Sequence, residues 1–430
     1  MNSIMEDMLC YWSILTLIQW RKEMEKIELF SEKADCCACG ACMNICPKHA
    51  ISMVEDEYGF KYPSINEELC IRCGVCKSVC GYQNKKETNE PLHTYVACTQ
   101  TTNIVESASG GVFAALAKAF LEKGGIVYGV ALEQIDGELV PLHIGIERKE
   151  DLHKLLGSKY VQSNVGTVYA KIKMQLHEGR RVMFSGSPCQ VAGLKAYLGN
   201  KEYDNLILID IICHGVPSIQ FFNSYLHELE KKLKGRVVDF KFRDKSKGWG
   251  LVSRVDYINA SNKPKSRSIN ARESSYYHLF LAGDIYRENC YSCKYASKNR
   301  PGDITLGDYW GIEKEHPEYL TANGGVFDER KGVSCMILST EKAKAFVEEV
   351  RDSVQLQEST FEKAARKNGQ LVHPTPCSER REKVLEMYAD LGYKAIDKWF
   401  IKKLGIKMIP IYIIDRIPVS LKKGIRRILK

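Results

Sequence analysis

Residues 36–47 read CCACGACMNICP, so that Cys36, Cys39, Cys42 and Cys46 fall in a Cys-x-x-Cys-x-x-Cys-x-x-x-Cys-Pro run, and CIRCGVCKSVC repeats the spacing with Cys70, Cys73, Cys76 and Cys80. Three thiolates so closely spaced wrap one corner of a four-iron cube, while the fourth, past the turn, reaches the other cube. The spacing therefore assigns Cys36, Cys39, Cys42 and Cys80 to one [4Fe-4S] cluster and Cys70, Cys73, Cys76 and Cys46 to a second. The competing chemistry is structural zinc, which pairs two separated Cys-x-x-Cys knuckles instead. Gly40 and Gly74 let the backbone curl close to the inorganic core. Cys80 is followed by Gly81 and not by Pro, a small departure from the pattern. Cys37 is surplus and reads as a packing residue.

A lone Cys-x-x-Cys, Cys290 and Cys293 in ENCYSCKYASKNRPGDITLGDYWG, is half of a further metal site. Cys189 in FSGSPCQVAGL lies where a strand gives way to a helix, and Cys213 in IDIICHGVPS ends the next strand. Sites in open α/β sheets assemble at the carboxyl ends of strands. If those two strands are near neighbours, four thiols meet, the donor set of a third [4Fe-4S] cluster. The alternative makes Cys189 a nucleophile activated by a helix N-terminus, with His214 as its base. That leaves Cys290 and Cys293 unexplained, and His214 then reads as a structural histidine. Cys98, Cys335 and Cys377 are reserve ligands; Cys10 is given no role.

Positioning these thiols requires two kinds of architecture. Residues 34–83 read as an α+β ferredoxin-like dicluster domain, residues 84–93 as a polar linker, and residues 94–380 as an α/β domain with a mixed sheet. In the latter, a helix entered through Ser109 and closed by Gly124 and Gly125 precedes a strand at IVYGVAL. A helix over VGTVYAKIKMQLHEG, a strand at RRVMFSG, a helix over QVAGLKAYLG, a strand at NLILIDII and a helix from Ser218 to Lys234 follow. VDFKFRD and LVSRVDYI read as antiparallel strands that make the sheet mixed. No Gly-x-Gly-x-x-Gly follows a strand and no phosphate-binding Gly-x-x-x-x-Gly-Lys-Ser/Thr is present, which argues against an ordinary dinucleotide fold or an NTPase.

The 430 residues and 44% hydrophobic content suffice for real cores. Seventeen cysteines, mostly in tight metal spacing, fit a reducing cytoplasm better than a disulfide scaffold. The net charge of +9 is matched by the last 37 residues alone, so the rest is about neutral and no nucleic-acid partner is implied. That end, within a basic segment of residues 381–430, mixes Trp399 and Phe400 with cations as a peripheral membrane or partner-docking segment would. The apolar run in residues 1–33, MLCYWSILTLIQW, lacks a basic flank and is too short to span a bilayer. It reads as a mis-called start before Met24 or a short extra helix.

The cysteine module resembles bacterial dicluster ferredoxins. SASGGVFAAL, LLGSKYVQS, GSPCQVAGL, CHGVPS, CYSC and GDITLGDYWG, in this order, resemble the coenzyme F420 hydrogenase/dehydrogenase beta-subunit family. The resemblance implies an iron–sulfur flavoprotein oxidoreductase in which a non-Rossmann α/β domain binds FAD and clusters feed or drain it. It implies a ferredoxin or other redox partner and an organic hydride acceptor or donor, coenzyme F420 or another substrate, with surface-polysaccharide biosynthesis as one setting. In that light Ser107, Ser109, Gly110 and Gly111 form a turn whose N–H groups suit a pyrophosphate or ring. Lys159 offers a cation, Ser158 and Ser163 hydroxyls, and Gly157, Tyr160 and Gln162 complete that contact set. Asp308 and Trp310 would sit near the inner cluster or the flavin. No acid or base stands out as catalytic. The competing class is a non-catalytic electron-transfer subunit docking to a partner enzyme.

Overall fold

A computed structural model describes residues 27–85, 88–100 and 106–405. Residues 1–26, with Cys10 and Met24, and residues 406–430, the larger part of the basic tail, lie outside the described residues.

The cysteine-rich segment builds a hairpin of β1 (Ile51–Glu55) and β2 (Lys61–Ile65), flanked by the short helices Ala41–Ile45 and Val75–Ser78, which pack on each other. Eight strands form the main sheet: β3 (His93–Thr99), β4 (Ile126–Ile135), β5 (Glu138–Ile146), β6 (Val182–Gly186), β7 (Leu206–Ile211), and, after an excursion, β11 (Ile304–Asp308), β12 (Ser334–Leu338) and β13 (Val354–Ser359). Their order is β13-β3-β12-β11-β7-β6-β4-β5. β4, β6, β7 and β11 are mutually parallel, while β5 and β12 pair antiparallel to this block. Because β3 is antiparallel to β12, it points the same way as the parallel block. The sheet is therefore mixed, and the carboxyl ends of β3, β11, β7, β6 and β4 share one edge.

The excursion is β8 (Gly235–Lys241), β9 (Val252–Asn259) and β10 (Pro264–Asn270), a separate three-stranded antiparallel sheet in the order β10-β9-β8. The antiparallel pair legible at VDFKFRD and LVSRVDYI thus exists but leaves the main sheet. What makes the main sheet mixed is β5, β12 and β13. The small sheet has its own core, in which Phe240, Phe242 and Val255 pack under Phe221, Phe222 and Tyr225 of the helix Ile219–Leu233.

Local chemistry explains the helix starts at the site edge. Ser187 and Gln190 form a reciprocal capping box at Pro188–Tyr197, with Pro188 in the first turn. Ser218 accepts from the Phe221 amide at Ile219–Leu233. The helix Val112–Glu122 starts differently from the sequence expectation: Gly111, at φ +78°, is its cap, and Ser109 Oγ donates to the Val333 carbonyl instead. A Cβ on Gly111 would stand 2.7 Å from Thr99 Cγ2, so the turn requires glycine both sterically and conformationally.

The described part of the basic segment forms the helices Arg381–Leu391 and Tyr393–Leu404, whose Val384, Leu385, Tyr388, Ile396 and Phe400 are buried. Phe400, part of the mixed aromatic and basic pattern, is thus packed on the body of the protein. No helix among the described residues is long and apolar enough to cross a membrane.

Candidate functional site: thiol sets around a shared cavity

The eight N-terminal cysteines gather in two groups, each combining residues from both cysteine runs. Cys36, Cys39, Cys42 and Cys80 interact electrostatically with one another, and burial pushes the Cys36 thiol up to about 11 and Cys42 well above its ordinary range. Cys46, Cys70, Cys73 and Cys76 line a small cavity of their own. There the Ala50 amide donates to Cys46 Sγ at 3.3 Å and the Arg72 amide to Cys70 Sγ at 3.4 Å. This second set reaches the surface at one edge: Cys76 is buried, but Cys73 is exposed, as are the neighbouring Leu69, Ile71 and Val75.

The inner set comes from two strand ends and one loop. β6 and β7 are adjacent and parallel, and Cys189 and Cys213 follow their carboxyl ends. Both line one cavity with Cys290 and Cys293. Burial pushes Cys213 up to about 12 and Cys290 well up. Cys213, Cys290 and Cys293 hold their charge poorly in such surroundings unless a metal deprotonates them, and four cysteines are a donor set suited to an iron–sulfur core. Among the described residues, no three Cys, His, Asp or Glu side chains stand close enough to hold one metal ion.

Cys37, read in the sequence as packing, does more. Its thiol is buried, interacts with the thiols of both Cys39 and Cys189, and lines the same cavity. The Cys189 pKa is lowered to about 7, first by Cys37 and then by Ser187. No hydrogen bond joins the His214 ring to Cys189 among the described residues, so the nucleophile–base pairing lacks its contact. The reserve ligands stay out: Cys335 lies buried on β12, Cys98 on β3, and Cys377 is exposed.

The cavity, about 420 Å³, extends from the inner thiols to the proposed cofactor residues, within the range of ligand pockets. Ser107, Ser109, Gly111, Gly157, Ser158, Lys159, Tyr160, Gln162, Ser163, Asp308 and Trp310 all line it. Gly110 does not; its amide is taken by Ser334 Oγ at 2.9 Å. Among the described residues Ser107 Oγ is buried without a hydrogen-bond partner, which leaves it free to meet a polar ligand atom. Lys159 donates to the Leu156 carbonyl at 2.8 Å, and burial lowers its pKa to about 7. These residues fit a polar, extended cofactor.

Residues 179–364 match the family described as the C terminus of the beta subunit of coenzyme F420 hydrogenase/dehydrogenase, and residues 35–84 match the 4Fe-4S dicluster domain. Residues 179–364 thus carry the C-terminal region of this beta-subunit family, behind a dicluster module. Among curated relatives, it is 23% identical over 187 residues to a subunit of the F420H2 dehydrogenase of Methanosarcina mazei, covering 41% of this chain and 53% of that one. It is 26% identical over 181 residues to the coenzyme F420-dependent sulfite reductase of Methanocaldococcus jannaschii, covering 40% of this chain and 26% of that one. An uncharacterized ferredoxin of the same organism is 33% identical over 54 residues, covering 13% of this chain and 69% of that one. The chain thus spans about half the length of the first relative and about a quarter of the second. The dicluster domain accounts for two [4Fe-4S] clusters.

The cavity wall and the side chains behind it include residues that the sequence reading passed over. Arg243 is buried and donates to Asp308 Oδ2 at 2.9 Å, Tyr160 Oη at 3.1 Å and the Gly250 carbonyl at 2.6 Å. Trp249 stacks on Trp310 with centroids 4.7 Å apart, and its Nε1 donates to Asp308 Oδ1 at 2.8 Å. Lys245 ties down the 107–111 turn through the Ser109 carbonyl at 2.6 Å, and burial lowers its pKa to about 8. Nothing local in the sequence singles them out: Arg243 stands next to last in the run VDFKFRD, and Lys245 and Trp249 lie in the connector KSKGWG that follows it.

Proposed function

We propose that this chain is an iron–sulfur flavoprotein oxidoreductase that moves electrons between its dicluster domain, an inner [4Fe-4S] site at Cys189, Cys213, Cys290 and Cys293, and FAD. Its other substrate would be an organic hydride acceptor or donor, with coenzyme F420 the first to test and a surface-glycan precursor the second. The observation that carries this reading is one cavity lined at once by the four inner cysteines and by the 107–111 and 157–163 segments. FAD, when bound, would supply the exchange between single electrons and a hydride.

The chain's own residues have definable tasks in that role. The 107–111 turn and Ser107 Oγ would hold polar atoms of the cofactor, Lys159 would face its anionic portion, and the Arg243–Asp308–Trp249 assembly fixes the wall that Trp310 belongs to. Ile211 and Leu281, exposed at the cavity, give its lining apolar surface beside His214. Electrons would be exchanged with a ferredoxin or another redox partner at the exposed Cys73 edge.

The same edge favours a second reading, a non-catalytic electron-transfer subunit, because Leu69, Ile71 and Val75 form an apolar contact surface around it. The two separate on a bleaching experiment. Anaerobically purified protein should show flavin absorbance that reduced ferredoxin or reduced deazaflavin bleaches. Clusters that reduce in a preparation without flavin would leave the electron-transfer subunit.

A further inference from the structure

Three arginines are fully buried at the core of this assembly, and two of them have carboxylates. Arg243 pairs with Asp308 and Arg300 with Asp210, each at 2.9 Å. Arg287, 0% exposed, has no carboxylate within ion-pair distance among the described residues. Its Nε donates to the Cys36 carbonyl at 2.9 Å and its Nη1 to the Lys61 carbonyl at 2.8 Å; Nη2 has no partner. The guanidinium lies 3.9 Å from the Tyr62 ring centroid. Asp56, the carboxylate on the Tyr62 side, is already engaged by Lys33 at 2.7 Å.

A buried cation without a counter-charge is costly enough that proteins supply one. The groups its charge acts on include two cysteines: it favours the thiolate forms of both Cys36 and Cys189. Its backbone belongs to the inner loop, since its amide donates to the Val216 carbonyl and its carbonyl accepts from the Cys290 amide. The side chain reaches back 251 residues to the dicluster domain.

We infer that Arg287 is the counter-charge shared by the Cys36 cluster and the inner site, a positioning residue that raises their reduction potentials by stabilising the added electron. For the Cys36 cluster the inference rests on the dicluster domain alone; for the inner site it rests on the function proposed above. A cluster gains one negative charge on reduction, and a fixed cation in a low-dielectric interior favours that state. Arg is suited to the place because it stays charged when buried.

The test is an anaerobic redox titration of the full chain, followed by electron paramagnetic resonance, on wild type, Arg287→Gln and Arg287→Lys. Arg287→Gln should make reduction of the Cys36 cluster at least about tenfold less favourable, about 59 mV for one electron, while the exposed Cys70 cluster keeps its potential. Arg287→Lys should restore most of the shift. Unchanged potentials in loaded Arg287→Gln, or an equal shift in Arg287→Lys, would overturn the inference. Should Arg287→Gln fail to take up iron, uptake regained with Lys but not with Met supports the charge role, and equal loss in all three overturns it. A wild-type content near eight irons would remove the inner site while leaving the Cys36 comparison decisive.

Discussion

Asp210→Asn isolates the fastening between the strand that carries Cys213 and the loop that carries Cys293. Asp210 lies near the end of β7 and is fully buried. Its Oδ1 accepts from Arg300 Nη2 at 2.9 Å, Arg300 Nε at 3.2 Å and Thr305 Oγ1 at 2.8 Å, and its Oδ2 from the Gly302 amide at 2.9 Å. Arg300 in turn donates to the carbonyls of Tyr295 and Ile211, holding the segment after Cys293 against β7. Asparagine keeps the volume but removes the charge opposite a buried guanidinium and turns a donor toward the Gly302 amide or the arginine. Breaking a buried pair from one side costs about 3–5 kcal/mol, a factor of roughly 10² to 10³·⁵ in the unfolding equilibrium. That is a large fraction of the ~5–15 kcal/mol available to a folded domain. Anaerobic urea denaturation followed by circular dichroism should show this loss, with inner-site iron lost at lower urea than the helical signal. Asp210→Asn combined with Arg300→Met should recover a good part of the stability. A single variant within about 0.5 kcal/mol of wild type and with full iron would refute the fastening.

Gly193 faces Cys39 across the interface between the dicluster segment and the helix that begins at Pro188, and a Cβ there would stand 2.8 Å from Cys39 Sγ and 3.1 Å from Tyr169 Oη. Gly193→Ala gains about 1 kcal/mol of helix propensity but overpacks at a cost of about 1–3 kcal/mol; iron analysis should show the Cys36 cluster substoichiometric, and full loading would contradict the contact. His143 is buried against Phe184, and burial lowers its pKa from 6.5 to about 4. Since the unfolded chain then binds the proton more readily, stability is unaffected at neutral pH and falls by about 3 kcal/mol as pH drops from about 6.5 to 4. His143→Gln should flatten that part of the pH–stability curve, and an unchanged slope would show that other groups govern it.

Much of the site was legible because its chemistry is local in sequence. The eight N-terminal cysteines follow from spacing alone, and Cys189 and Cys213 from their place after consecutive apolar β-branched runs that pair as parallel β6 and β7. What stayed hidden depends on contacts across long separations. Arg243, Arg287 and Arg300 look like any of the 62 Lys and Arg until burial singles them out. Ser109 reads as a helix cap, but its hydroxyl is claimed by Val333, 224 residues away, and the adjacent Gly111 takes the left-handed turn. Cys37 is indistinguishable from a packing thiol without the fold that brings Cys189 to it. The strands β8 and β9 carry a clear antiparallel pattern, but nothing local says that they pair with β10 instead of joining the main sheet.

The central claim is that one cavity holds an inner cluster and a flavin together, and cofactor stoichiometry under strict anaerobiosis tests it most directly. The account predicts about twelve irons and one FAD per chain, falling to about eight irons when Cys290 and Cys293 are both replaced by Ser. A wild-type preparation, fully reconstituted, with about eight irons and no flavin, and the same iron content in the double variant, would contradict it.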